Sequence, residues 1–508
     1  MIEVEVHQQL RAWLREQGGD TWPHHLTVAR LVARALRLQR KTLLQISSAV
    51  AYQGDYRLSY LASLLLWPGP ILLVAPPDVQ QALCHRELPQ LREGLGLTKP
   101  VCTTTTWPHA DFTGIAIISP QDWLQQELHS PHPVSSIPVV IDGVEDLESL
   151  TRKHLTHTLT AADWEALTWL YPSQVETIRD IRATLTYTLF QHPPNPYGCV
   201  VLAEPERHLA IQLIAQLQTQ SGQSCPTGWQ QFVERLEHPD TLTWANLDRQ
   251  QGSFTLNSAP TNVAPFLKPL WDNRTIILLS RVLDLDPQAE LFRLRLALTE
   301  ATTVQFATDR HNDALTLYLP DGIPMPNTPE FAPALLGQLH RVLIVEGATE
   351  TFSVLIIDDL PLKTRVAVQL AAEFGSRVKV ERTDCEPGDV LITGWDFWLR
   401  HQCSLPHPQR LVIATLPFPS LENPIVAGRV AYYKQQRQDW FRLYLLPEAL
   451  QILQKAIAPL RRPPGLIALF DSRVLHRSYG QQVLSALSPY ARLTYLDDST
   501  LMPPPCSV

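Results

Sequence analysis

The sequence predicts an α/β protein: two lobes, each built on a parallel sheet flanked by helices, with a mostly helical insertion in the first. Three observations carry this expectation. Short β-branched runs such as "FTGIAIISP" (112–120) and "IPVVIDGVEDLE" (137–148) alternate with helical periodicity, the pattern of parallel βαβ units covered on both faces. Residues 150–250 then change character, rich in Leu, Thr, Trp and Gln at helical spacing, as in "LAIQLIAQLQTQ". Strand-like runs return at "RTIILLSRVL", "FSVLIIDDL", "SRVKVE", "GDVLITG", "QRLVIATLPFP" and "PGLIALFDSR", with helical segments between several of them.

Taken in order, "LTVARLVARALRLQRKTLLQIS" reads as a helix followed by a strand ending near Ile46. "AVAYQGDYRLSYLASLLLWPGPILLVAP" (49–76) moves from a loop to an amphipathic helix, a turn and a buried strand. Leu58 to Pro77 is uncharged and long enough to raise a membrane span, but Pro68-Gly69-Pro70 breaks it into a helix over Leu58–Trp67 and a strand over Ile71–Ala75. The expected divisions are a first lobe at 1–149, the insertion at 150–262, a return to the first lobe at 263–300, and a second lobe at 301–508. A chain of 508 residues supports two or three such cores.

Composition narrows the function classes. A 45% apolar, 18% charged chain is globular, and a net charge of −8 excludes a polycation that coats nucleic acid by bulk charge. Seven Cys, at 84, 102, 199, 225, 385, 403 and 506, are an odd number without a C-x-x-C pair, which fits reduced thiols. The N-terminus "MIEVEVHQQLRAWLREQGG" is charged throughout and has no apolar leader core, so a cytoplasmic protein with no membrane partner is expected. His24-His25, His129 with His132, and His154 with His157 lack a matching Cys or carboxylate set, so no metal centre is expected from them. Asp358-Asp359 ends a strand, where a carboxylate pair suits either a cation or a structural turn.

The end of the chain carries the most specific motifs. Leu416 to Pro419 (L-P-F-P), Leu446 to Ala449 (L-P-x-A), Asp471 to Arg473 (D-x-R) and Tyr479-Gly480 follow one another over 65 residues. In this order and spacing they resemble the second motor domain of the DinG/XPD-type superfamily 2 DNA helicases. Further upstream, "GWDFWLRHQCSLP" looks like that family's F-W-E-G-V-D-x-P-G motif with Phe397 and Trp398 kept, "VVIDGVEDLE" sits at the D-E-A-H box, "TIILLSRVLD" sits at the S-A-T-L motif, and the stretch ending "LSYL" falls on the Walker A loop. The resemblance implies two RecA-like domains with ATP and Mg²⁺ between them, and a reduced form of the family's arch in the insertion.

Position by position, the implied chemistry is missing. A phosphate loop uses Gly to let backbone N–H groups cradle phosphates, Lys on the β/γ-phosphates and Ser/Thr on Mg²⁺. Here Tyr56 stands at the Lys and Arg57 at the Thr, with Gly54 one place out of register. The box keeps Asp142, the residue implied to hold Mg²⁺, but Gly143 replaces the catalytic Glu and Glu145 the final His. In "LQKAIAPLRR" the Gly positions are Ala456 and Ala458, Pro459 replaces the first Arg, and Arg462 is the remaining candidate finger. Leu399 and Gln402 replace the acidic residues of F-W-E-G-V-D. Many relatives carry a four-Cys iron–sulfur cluster between the two Walker segments; with Cys84 and Cys102 alone there, no cluster is expected.

Arg400 to Gly480 holds eleven Lys/Arg against four Asp/Glu. Arg429, Lys434, Arg437, Arg442, Arg461 and Arg473, interleaved with Tyr432, Tyr433, Trp440 and Phe441 and joined by Phe397 and Trp398, suit a surface that tracks and stacks single-stranded nucleic acid; a solvated helix face with core aromatics is the alternative. Three readings follow. The first is a pseudo-helicase that binds nucleic acid or a protein partner without efficient ATP hydrolysis. The second is a divergent active ATP-dependent DNA helicase using Arg57, Asp142, Glu145 and Arg462 in shifted roles. The third is a protein-interaction scaffold with no nucleic-acid role.

Overall fold

The computed structural model describes residues 1–18, 22–129, 137–221, 225–272, 274–281, 285–310, 313–344 and 351–496. In chain order the strands are β1 (Lys41–Ile46), β2 (Ile71–Val74), β3 (Val101–Thr103), β4 (Ile115–Ile118), β5 (Val139–Asp142), β6 (His157–Leu159), β7 (Cys199–Val201), β8 (Thr241–Asp248), β9 (Ser253–Pro260), β10 (Ile276–Arg281), β11 (Thr302–Gln305), β12 (Leu315–Tyr318), β13 (Ser353–Ile356), β14 (Val378–Val380), β15 (Val390–Thr393), β16 (Arg410–Ile413), β17 (Leu466–Leu469) and β18 (Tyr490–Leu493).

The first lobe is a seven-stranded parallel sheet in the order β11-β1-β10-β5-β2-β4-β3. Strands such as "ILLV" and "IAII" are buried along their whole length, which is why they are continuously apolar rather than alternating. One face is covered by the helices Ile2–Glu16, His25–Leu38 and Arg57–Leu66; in the second of these Val28, Val32 and Leu36 recur every four residues and are fully buried. The opposite face packs on Trp123 and Trp271, whose rings stack 6.1 Å apart. The uncharged stretch after Arg57 divides as the Pro-Gly-Pro turn dictates, into the helix Arg57–Leu66 and β2. No helix among the described residues is long and apolar enough to cross a membrane. Because β11 pairs with β1, opposing Thr302 to Thr42, the first sheet runs to Gln305, past the boundary drawn at residue 300.

The second lobe repeats the plan with the order β14-β15-β13-β16-β17-β12-β18, again parallel throughout. Trp398, Leu453 and Ile457 fill one face; Phe331, Leu335, Val366 and Leu370 fill the other. The architecture is α/β with two RecA-like domains.

The insertion is less helical than the sequence suggests. It contains the helices Ala161–Leu170, Val175–Gln191, Glu204–Ser221 and Thr227–Leu236, and also a four-stranded antiparallel sheet in the order β6-β9-β8-β7. The hairpin of β8 and β9 has eight residue pairs, but "TLTWANLD" and "SFTLNSAP" are built from Thr, Ser and Asn and lack a clean apolar alternation. Trp164 and Trp229 meet edge to face at 4.6 Å at its centre.

Candidate functional site

Open parallel sheets bind ligands beyond the carboxyl ends of their strands. In the first lobe that edge brings together the residues after β1, the end of β5 at Asp142 and the end of β10 at Arg281. A phosphate-binding loop would keep its backbone N–H groups free there. Instead the chain turns at Ser47 straight into a helix, Ser48–Gln53. Ala51 N–H donates to Ser47 O at 2.9 Å, Gly54 N–H to Val50 O at 2.9 Å and Arg57 N–H to Gly54 O at 3.0 Å, so these amides are spent within the chain. Gly54 ends the helix at φ +82°, and a Cβ there would lie 2.5 Å from the Arg57 guanidinium.

The next two side chains close the site. Tyr56 donates its hydroxyl to Asp142 Oδ1, and Tyr60, one turn along the same helix, donates to Asp142 Oδ2 at 2.8 Å. Arg57 Nε lies 3.4 Å from Asp142 Oδ2, and its Nη1 donates to Glu87 Oε1 at 3.2 Å. Tyr56, Tyr60 and Asp142 are buried, at 5%, 0% and 2% exposure. Burial, then the Asp142 charge, pushes both phenols well above the ordinary tyrosine range, so both remain donors. Burial works against the charge of Arg57, but the surrounding acidic groups outweigh it and hold the guanidinium protonated. The carboxylate that a nucleotide-bound Mg²⁺ needs is therefore already satisfied by two phenols and a guanidinium, and the residues present do not fit Mg²⁺-ATP. Tyr60 and Glu87 were missed from sequence; the i, i+4 repeat of Tyr56 and Tyr60 was a signal for the first, and nothing marks the second.

Glu145 does not stand as a free base. It is buried, with Oε1 3.4 Å from Arg281 Nε, and burial raises its pKa against the pull of Arg281 and Lys455. Arg462 reaches across from the second lobe, as a finger would, but binds Asp313 Oδ1 through Nε, Gln53 Oε1 through Nη1 at 3.3 Å, and lies 3.8 Å from Asp55.

Other links hold the two lobes together along the same edge. On the helix Leu446–Ile457, Gln451 Nε2 donates to Glu145 O at 3.1 Å, and Lys455 Nζ, one turn on, pairs with Asp146 at 2.6 Å. Tyr52 donates to Gln402 O at 3.2 Å. Glu148 gathers Arg152 at 2.6 Å, Arg429 of the second lobe at 3.2 Å and Arg295 at 3.4 Å. Burial alone would raise Glu148, but the three guanidiniums bring it down to about 2.

The basic set expected to meet nucleic acid divides. Trp398 is fully buried and donates Nε1 to Ala456 O at 3.0 Å; Phe397 is half-buried with its ring 4.5 Å from that of His401. Arg461, 1% exposed, donates to Asp313 O, Leu487 O and Ser488 O, and burial lowers its pKa to about 10. Arg429 is held by Glu148 and Glu448 over the Tyr444 ring, and Arg473 forks onto Asp471. Of the set expected to meet nucleic acid, Trp398, Arg429 and Arg461 are thus buried, the two cations with partners that offset their burial, while Arg473 is paired but partly exposed. Lys434, Arg437 and Arg442 are exposed, with Lys434 5.4 Å from the Trp440 ring.

The C-terminal motifs meet in space. Asp471 Oδ2 accepts from Leu416 N–H at 2.8 Å while binding Arg473; Arg473 lies over Phe418; and Tyr479 packs 5.2 Å from both Phe418 and Phe441. A Cβ at Gly480 would come 1.8 Å from Val474 O, so the position accepts only glycine. Asp359 Oδ1 caps the helix Leu360–Phe374, the structural-turn option for the Asp pair. Among the histidines, His25 contacts Ser59 Oγ and His157 contacts Gly228 O; His132 lies outside the described residues. Cys84 and Cys102 carry free thiols, and two do not make a four-Cys donor set. Among the described residues no group of three or more His, Cys, Asp or Glu is placed to hold a metal ion.

Two RecA-like sheets facing a shared cleft, with motor-type motifs at the strand ends of the second, define a helicase-type protein. Residues 406–490 match the helicase C-terminal domain family. ATP-dependent DNA helicase YoaA of Escherichia coli (strain K12) is 25% identical over 253 residues, 47% of this chain and 40% of that protein. ATP-dependent DNA helicase DinG of Photobacterium profundum is 24% identical over 268 residues, 48% of this chain and 38% of that protein. These matches span about two fifths of the length of those relatives. Among solved structures, an XPD helicase superposes with a TM-score of 0.56 and an apo XPD with 0.54, each at 12% identity, over 93% and 92% of this chain and 100% of each structure. The chain is thus similar in sequence to the DinG and YoaA helicases over about half its length, and it shares the fold of the XPD structures.

Proposed function

We propose that this chain is a pseudo-helicase: it keeps the two-lobed helicase scaffold, does not hydrolyse ATP, and acts in nucleic-acid metabolism as a binding scaffold. One observation carries the reading. Both oxygens of Asp142 are occupied by the phenols of Tyr56 and Tyr60, from the segment that should cradle phosphate. Phosphoryl transfer depends on positioned metal, cations and an oriented nucleophile, and each of those roles has been reassigned to an internal contact. The test is steady-state ATP turnover by the purified chain with Mg²⁺, with and without single-stranded DNA, beside Asp142→Ala and Arg57→Ala. No turnover above the blank is expected in any arm; DNA-stimulated turnover abolished by Asp142→Ala would overturn the reading.

Single-stranded nucleic acid is the ligand that the exposed cluster supports. Lys434, Arg437 and Arg442 stand free of the core beside Trp440 and Phe441, which pairs cations with stacking faces. Three phosphate contacts would give a slope of log affinity against log salt of about −2. Replacing all three cations by Ala should flatten that slope in an anisotropy titration, and an unchanged slope would move the contact elsewhere.

A further inference from the structure

The second lobe holds a separate groove of about 1080 Å³, a volume that matches the larger ligand sites of proteins. It lies at the carboxyl ends of β13, β15 and β16, where Asp358-Asp359, Trp395-Asp396 and Thr415-Leu416 follow the strands. Phe331, Trp395 and Leu416 give it an apolar, buried floor. Its walls are stiffened by Pro326, Pro329, Pro361, Pro417 and Pro419, and Tyr197 of the insertion borders it.

The charge lining this groove is the reverse of what a phosphate chain needs. Asp358, Asp359, Asp396 and Glu422 face it, and none of the four has an ion-pair partner among the described residues. Two cations also line it, Arg365 and Arg473, but Arg473 is already neutralised by Asp471 at 2.6 Å. Among the described residues, one uncommitted cation therefore stands against four carboxylates. A second feature is independent of that charge. Trp395 lines the groove and is 6% exposed, and its indole N–H has no partner among the described residues.

We propose that this groove docks a basic, extended peptide segment of a partner protein. Lys or Arg side chains would pair with the four carboxylates and lie against the Phe418 and Tyr197 rings, while an apolar side chain would reach the Phe331 and Leu416 floor. A nucleic-acid strand is disfavoured at this place because its phosphates would meet like charge. The assignment goes beyond the pseudo-helicase reading and does not rest on the silence of the nucleotide cleft.

The experiment is a fluorescence-anisotropy titration of the full chain with a labelled peptide alternating Arg with Leu. An acidic peptide of the same length and a thymidine oligonucleotide serve as comparisons. The test variant is Asp396→Asn with Glu422→Gln, both exposed positions whose folding is checked by thermal melting. The control variant, Glu176→Gln with Asp180→Asn, removes the same charge from the exposed face of an insertion helix. We expect binding of the basic peptide alone, weakened about tenfold by the groove variant and unchanged by the control, with no competition from the oligonucleotide. Equal weakening by both variants, no weakening by either, or displacement of the peptide by the oligonucleotide would each overturn the proposal. ATP does not enter this readout, so its failure is distinguishable from failure of the pseudo-helicase reading.

Discussion

The two lobes share one sheet plan but differ in what occupies the positions that the family resemblance assigns to nucleotide. In the first, the chain after β1 forms the helix Ser48–Gln53, and Tyr56, Tyr60 and Arg57 contact Asp142. In the second, the scaffold motifs are present and the cations are held by carboxylates. Arg462 holds Asp313 of its own lobe and reaches Gln53 of the first, and Lys455 holds Asp146 on the far side of the cleft. Set side by side, the lobes separate the parts of a motor motif that carry structure from those that serve a nucleotide. The family-like residues still present in the second lobe, Phe418, Asp471, Arg473, Tyr479 and Gly480, pack against one another, whereas the positions whose partner would be a nucleotide have changed.

That contrast can be broken most sharply at Asp142. In a site built for Mg²⁺, removing the carboxylate leaves the fold largely intact; here it strands a buried guanidinium and two phenols. Asp142→Ala should cost about 3 kcal/mol in urea unfolding, in the range for breaking a buried ion pair. An unchanged midpoint would show the contacts to be incidental. Tyr60→Phe removes one buried hydrogen bond to a charged acceptor and should cost about 2 kcal/mol by the same measurement. Restoring the family residues with Tyr56→Lys and Arg57→Thr should not bring back a thermal shift with Mg²⁺-ATP, because the backbone amides remain spent in the helix Ser48–Gln53.

Smaller effects are expected between the lobes. Lys455→Ala deletes an ion pair whose Asp146 side is 57% exposed, so its cost should be below about 1 kcal/mol, yet the distance between labels on the two lobes should broaden. The smallest is a pH effect at Glu148. Its folded pKa, about 2, lies below the ordinary glutamate value of 4.5, so its contribution is fully present above the unfolded value. It should fade as pH falls from about 4.5 to about 2 and vanish below that. Glu148→Gln should flatten the interlobe response in that window.

Much of the fold was legible because strands buried on both faces are continuous apolar runs; β2, β4, β5, β13, β15, β16 and β17 all read this way. The β8–β9 hairpin was not legible, since its Thr, Ser and Asn residues give no strong period. That Tyr56 and Arg57 stand where the resemblance puts Lys and Thr was plain from the sequence, but their contacts were not. Sequence spacing does not place Asp142, eighty-six residues away, against Tyr56. Charge counting alone does not divide the basic residues of the second lobe: Arg429 and Arg461 are cations like Arg437 and Arg442, and only packing separates the buried pair from those that face solvent.

The pseudo-helicase reading stands or falls on Asp142 being closed to a nucleotide-bound metal. Isothermal titration of Mg²⁺-ATP into the purified wild-type chain, with single-stranded DNA present, addresses that point without relying on turnover. No saturable heat is expected up to millimolar nucleotide. A saturable isotherm that requires Mg²⁺ would contradict the closed site, because binding would then have to displace both phenols from Asp142.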